Sequence, residues 1–160
     1  MSVTAALMAT IRLNLLRRPL MHPCMAEECL DISRPKLTAL VESGQLPWAW
    51  NLGCGNARQE MRILAHCVME RATGINPAIG ATKNLKLSEV LNLILPEQRQ
   101  SLRAVELQRL FHASPDMIRD LGEVRAIRKI SEKLPAVGPN ASPRYARLSL
   151  VKFLTDRRIA

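Results

Sequence analysis

The chain has 160 residues, of which 48% are hydrophobic but only 3% aromatic, and it carries a formal net charge of +9. That length accommodates one ordinary domain or two small ones, and cores built from Leu, Ile, Val, Met and Ala favour helices over a large sheet. The four cysteines all lie in the first half among helix-forming residues, which argues against a disulfide scaffold and for reduced thiols in a cytoplasmic protein.

Residues 4–17 read as an amphipathic helix, with Leu7, Met8, Ile11, Leu15 and Leu16 on one stripe and Pro19 ending it. The segment is broken by Arg12, Arg17 and Arg18, too short and too charged to span a bilayer. It faintly resembles a mitochondrial presequence. A helix that packs on the body or on a second subunit is the favoured reading. A second helix is expected over Pro23–Leu30. Ser33 is a good N-cap for a third, Pro35 fits its first turn, and Gly44 offers a left-handed stop.

Alternation of Leu46, Trp48 and Trp50, and of Met61 and Ile63, around a Gly-Cys-Gly-Asn turn predicts a small β-hairpin. A helix is expected over about Leu64–Ala72. Residues 73–84 are rich in Gly, Pro, Asn and Thr and read as linker. Ser88 is expected to cap a short helix stopped by Pro96, and a further helix to run from Pro96 to Ala113.

The pattern then recurs. Ser114 matches Ser33, Ile118 matches Leu37, Leu121 matches Leu40, Gly122 matches Gly44 and Val124 matches Leu46, which makes the second copy three residues shorter before its glycine. A hairpin with a long tip, a return strand RYARL and a last helix capped by Ser149 complete it. The order helix, turn, helix, hairpin, helix is expected twice.

SRPKLTALVESGQLP and RYARLSLVKFL together resemble the winged helix-turn-helix of the MerR and phage-excisionase superfamily. The resemblance implies a mainly α fold with small β-hairpin wings, as two winged helix-turn-helix units in tandem. The expected divisions are an N-terminal helix in 1–20, a first unit in 21–72, a linker with a short helix in 73–100 and a second unit in 101–160. It further implies a sequence-specific, DNA-binding transcriptional regulator of a bacterial mobile element or phage. Its partner is double-stranded DNA, and it acts as a homodimer with a recombinase or RNA polymerase as a further contact. The alternatives are an excisionase-like DNA-bending factor and a protein-interaction adaptor on the same fold. Acidic residues in the second recognition helix and the tryptophans of the first wing motivate the adaptor.

On this reading the second helix of each unit enters the major groove by its N-terminal end. Arg34, Lys36 and Thr38 stand there in the first copy, and Arg119 in the second. Arg119 has Asp116 and Asp120 beside it and is equally suited to pair with a carboxylate. Arg58 and Arg62 belong to the first wing. Arg125, Arg128, Lys129, Arg144 and Arg147 flank the second, with Tyr145 either bonding a phosphate or packing the hairpin base. Residues 101–160 hold 12 Lys or Arg against 6 Asp or Glu, whereas residues 1–72 hold 8 against 6, so positive charge concentrates in the C-terminal unit. Trp48 and Trp50 share one side of a strand, in a core seam or at an interface.

Cys24, Cys29, Cys54, His66 and Cys67 are spaced too loosely for a structural zinc site, so no metal or other cofactor is expected. There is no phosphate loop, HExxH or G-x-S-x-G, and no enzyme is expected.

Overall fold

The structure, a computed structural model, describes residues 17–53, 59–74, 81–130 and 143–159. Among these residues the chain forms seven α-helices and two antiparallel three-stranded sheets, and the order of elements is the same around each sheet. The first series is β1 (Leu20–Met21), α1 (Pro23–Leu30), α2 (Arg34–Glu42), β2 (Ala49–Asn51), β3 (Met61–Leu64) and α3 (Ala65–Thr73). A 3-10 turn (Thr82–Asn84) and α4 (Leu87–Ile94) follow. The second series is β4 (Ser101–Arg103), α5 (Ala104–Leu110), α6 (Pro115–Glu123), β5 (Lys129–Ile130), β6 (Arg144–Ala146) and α7 (Arg147–Asp156). In both sheets the third strand of the series lies in the middle, giving the orders β1-β3-β2 and β4-β6-β5.

The repeat holds to the level of single bonds. A shift of 81 residues carries Ser33 to Ser114, the N-cap positions of two nine-residue helices with proline in the first turn, although only the Ser114 side chain accepts a capping bond. The same shift carries the left-handed Asp31 (φ 52°) to His112 (φ 49°), and Gly44 (φ 79°) to Arg125 (φ 59°). Leu46 N–H donates to Leu40 C=O as Ile127 N–H donates to Leu121 C=O. Arg125, not Gly122, therefore stands where Gly44 stands, and the second helix is not shortened. Gly122 lies inside α6, where a Cβ would meet the Tyr145 ring and hydroxyl at 3.1 Å. The glycine is there for a close approach, and the left-handed turn falls three residues later.

Other expectations shift. Each hairpin gains a third strand, β1 or β4, placed before its helix pair; β4 and α5 occupy the stretch expected as one helix from Pro96. Such strands are two or three residues long, too short for an alternation signal. α7 begins at Arg147, so Ser149 does not cap it; its Oγ accepts from Arg128 N–H at 2.6 Å instead. Glu89 reaches back to Lys86 N–H at 2.9 Å, which places the start of α4 at Lys86 rather than Ser88. The expected helix 4–17 lies outside the described residues save Arg17, as do the turn of the first hairpin and the tip of the second.

One aliphatic core runs through both series. Trp50 is fully buried and Trp48 3% exposed, and the Trp48 indole N–H donates to Thr82 C=O at 2.8 Å. The tryptophans thus fill a seam rather than a surface. Residues 157–159, just past α7, close that seam. Asn51 N–H donates to Arg157 C=O at 2.9 Å and Ile159 N–H to Ala49 C=O at 2.8 Å, so the C-terminal segment pairs antiparallel along the open edge of β2. The Arg158 guanidinium stacks over the Trp48 ring at 3.8 Å. No helix among the described residues is long and apolar enough to cross a membrane.

Candidate nucleic-acid interface

Helix α2 presents Arg34, Lys36 and Thr38 near its N-terminus because Leu37, Leu40 and Val41 are buried and fix its rotation. Lys36 is exposed. Arg34 is exposed too but engaged: its Nε and Nη2 donate to the two Glu27 carboxylate oxygens at 2.9 and 3.2 Å, a pairing that raises its pKa. Thr38 is half-buried and lines a cavity of about 320 Å³ with His22, Arg34, Glu60 and Arg62.

Arg62 departs most from the sequence reading. It sits on the central strand and is 4% exposed. Its guanidinium donates to the carbonyls of Phe111, His112 and Met61 and to Glu60. Burial lowers its pKa, and Glu60 counters in part. The sequence assigns Arg62 to the first wing as a DNA contact, but its guanidinium is covered by the α5–α6 turn of the second series. Arg58 lies outside the described residues.

Helix α6 is anchored by Ser114, whose Oγ accepts from Met117 N–H at 3.2 Å, and by the buried Ile118 and Leu121. Its outer face carries Asp116, Arg119, Asp120 and Glu123. Arg119 lies 3.2 Å from Asp116 and 3.9 Å from both Asp120 and Glu123, all of them largely exposed. Of the two readings left open for Arg119, the geometry shows the pairing with carboxylates.

The second flap gathers Arg125, Arg128 and Lys129, all exposed. Arg144 is half-buried on the central strand opposite Ile130. Tyr145, 3% exposed, packs its ring against Gly122, and burial followed by nearby Glu123 raises its pKa. Arg147 turns away from the flap: its Nε donates to Pro96 C=O at 3.0 Å and its Nη2 to Asn92 Oδ1 at 2.9 Å, tying α4 to the start of α7.

Of the expected contact residues, the structure brings together the exposed cations Arg125, Arg128 and Lys129 on one flap and Arg34 with Lys36 on one helix end. It withdraws Arg62, Tyr145 and Arg147 into packing. The sequence reading overlooked Arg157 and Arg158, which hold the C-terminal segment to the first sheet; Arg157 donates to Gly53 C=O. A strand of three residues after a helix leaves no pattern to find.

No group of three or more His, Cys, Asp or Glu that could hold a metal ion occurs among the described residues. Cys24 and Cys29 are exposed on α1, and Cys67 is buried, its pKa pushed up to about 12. Against protein-family models, curated proteins and solved structures alike, the chain finds no match.

Proposed function

We propose that the chain is a sequence-specific double-stranded DNA-binding protein with two tandem winged helix-turn-helix units, serving as a transcriptional regulator of a bacterial mobile element or phage. The observation that carries the reading is the double occurrence of one arrangement: a second helix that starts after a serine and a first-turn proline, followed by a two-stranded flap, with a cationic cluster on the second flap. In such an arrangement the helix end faces base edges and the flap meets phosphates. Lys36 and Arg34 are the candidates for base contact, while Arg125, Arg128, Lys129 and Arg144 position the duplex.

The two series contribute unequally. The carboxylates around Arg119 repel phosphate, so α6 does not read bases and α2 does. An excisionase-like bending role has one observation in its favour: Arg62 and the 157–159 segment fasten the first sheet to the α5–α6 turn and to the end of α7, which suits holding the two series at a set angle.

Selection from random duplexes tests the reading. The parent chain is expected to enrich a defined motif. Lys36→Ala should blur that motif, whereas Arg128→Ala with Lys129→Ala should weaken binding to every duplex alike. Recovery of no motif, together with equal duplex affinity of parent and variants, would overturn the reading.

A further inference from the structure

The two series are fastened at two places of different chemistry. At one, the segment 157–159 runs along the β2 edge: Asn51 N–H donates to Arg157 C=O at 2.9 Å and Ile159 N–H to Ala49 C=O at 2.8 Å, bonds between backbone groups that do not titrate. At the other, the α5–α6 turn lies on the Arg62 guanidinium, which donates to the carbonyls of Phe111 and His112. Two imidazoles flank this second fastening, one from each series. The rings of His22 and His112 stand with centroids 6.0 Å apart.

Each ring is built in for its neutral form. His22 is the N-cap of α1: its Nδ1 accepts from Cys24 N–H at 3.2 Å, which requires that nitrogen to carry no proton. The His112 Nδ1 is buried and has no hydrogen-bond partner among the described residues. An imidazolium carries a proton on both nitrogens. Charging His22 therefore removes the cap of α1, and charging His112 puts an N–H at a buried position without an acceptor. The charged groups facing the pair are Arg62 and Glu60 beside β3, Glu27 from α1, Arg34 from α2 and Arg18 ahead of β1. Both carboxylates are already bonded, Glu27 to Arg34 at 2.9 Å and Glu60 to Arg62 at 3.3 Å, and neither holds an imidazole among the described residues. Burial first and Arg62 next hold both rings below the ordinary value of 6.5.

We propose that His22 and His112 form a proton-operated latch: in acid the α5–α6 turn lifts off the first sheet while the 157–159 segment holds as the pivot. With both rings charged, they and Arg62 set three cations against the one Glu60 carboxylate. Parting the turn from the strand relieves that repulsion and returns both rings to water. It also frees the Arg62 guanidinium from the Phe111 and His112 carbonyls. The neutral forms fix the sign: the closed junction is favoured above pH 6.5 and loses ground as pH falls below it. The opening is local, unlike general acid unfolding, and it does not depend on DNA binding.

Hydrogen exchange of the full chain tests the latch, followed by mass spectrometry at about pH 7.5 and about pH 5.5 and corrected for the intrinsic pH dependence of exchange. Segments 20–30 and 108–115 are expected to lose protection together in acid. The loss should be about tenfold or more, since each ring that charges only on opening lends up to about that factor at the lower pH. Segments 48–52 and 157–159 are expected to keep their protection. His22→Asn with His112→Asn should abolish the pH effect, because asparagine caps a helix and tolerates the left-handed backbone at position 112 without titrating. Proton–nitrogen correlation spectra of the parent's imidazoles give a second reading that needs no variant. Both rings should titrate below 6.5, with the His22 Nδ1 unprotonated at neutral pH. Loss of protection throughout the chain in acid, 48–52 and 157–159 included, would overturn the latch, as would no loss at 20–30 and 108–115. So would a pH effect that survives in the double variant, or either ring titrating above 6.5.

Discussion

The Arg62 guanidinium donates to the His112 carbonyl oxygen at 2.9 and 3.1 Å, joining the central strand of the first sheet to the helix turn of the second series. An arginine buried this way is stabilising only while its carbonyl partners remain, and the carbonyls need it equally. Arg62→Ala is expected to cost about 3 kcal/mol, since charged hydrogen bonds are lost and buried carbonyls are left bare. Removing residues 157–160 should expose the β2 edge and loosen the same contact from the other side. Urea unfolding followed by tryptophan fluorescence measures both, because Trp48 and Trp50 lie at that seam. Wild-type stability in Arg62→Ala would show that the two series do not depend on each other.

Protons act on the same junction. His22 and His112 stand with ring centroids 6.0 Å apart. Burial foremost, then Arg62, lowers the pKa of both; Arg34 acts on His22 as well and Arg18 on His112, while Glu60 and Glu27 raise His22 in part. His66 is lowered by burial alone. A histidine whose folded pKa lies below its unfolded value of 6.5 has no effect on stability well above that pH. As pH falls below 6.5 the unfolded chain takes up protons first and stability declines. Glu106 adds to the decline below about pH 4.5. Burial raises its pKa, but bonds from Arg103 at 3.0 Å and Arg99 at 2.7 Å outweigh this and hold it below 4.5, so acid removes their contribution. The urea midpoint is therefore expected to fall between pH 7.5 and 5.5, and to fall less in His112→Asn, because asparagine tolerates the left-handed backbone there without titrating. An identical slope in His112→Asn and the parent would contradict this assignment.

Two glycine exchanges separate conformational freedom from close packing. Arg125 sits at φ 59°, so Arg125→Gly is expected to raise stability by about 0.5–1 kcal/mol. Gly122→Ala would ordinarily stabilise a helix interior by up to ~1 kcal/mol. Here the new methyl meets the Tyr145 ring and hydroxyl at 3.1 Å, and a net loss of about 1 kcal/mol is expected. Thermal unfolding of the two variants checks both signs.

The helix around Leu37 was legible because its signals are local: a Ser N-cap, an early proline, apolar residues on one face and a glycine stop. Its repeat was legible as well, but its register slipped. Gly122 drew the alignment by identity, although backbone conformation puts Arg125 in Gly44's place; a glycine's reason for being present is not written in its letter. The cations were visible as charges, yet whether each faces solvent depended on distant carbonyls. Arg62 and Arg147 meet groups some 50 residues away in the chain, and no spacing rule reports that. Arg125, Arg128 and Lys129 are exposed, as residues that flank a turn are by default. The 157–159 pairing left no trace because its partner strand is a hundred residues upstream.

The salt dependence of duplex binding tests the DNA reading most directly. If Arg125, Arg128, Lys129 and Arg144 meet phosphates, the logarithm of the affinity should fall with the logarithm of salt at a slope of about −3.5, and Arg128→Ala with Lys129→Ala should bring it to about −2. A slope near zero, or one unchanged by the double substitution, would contradict the reading.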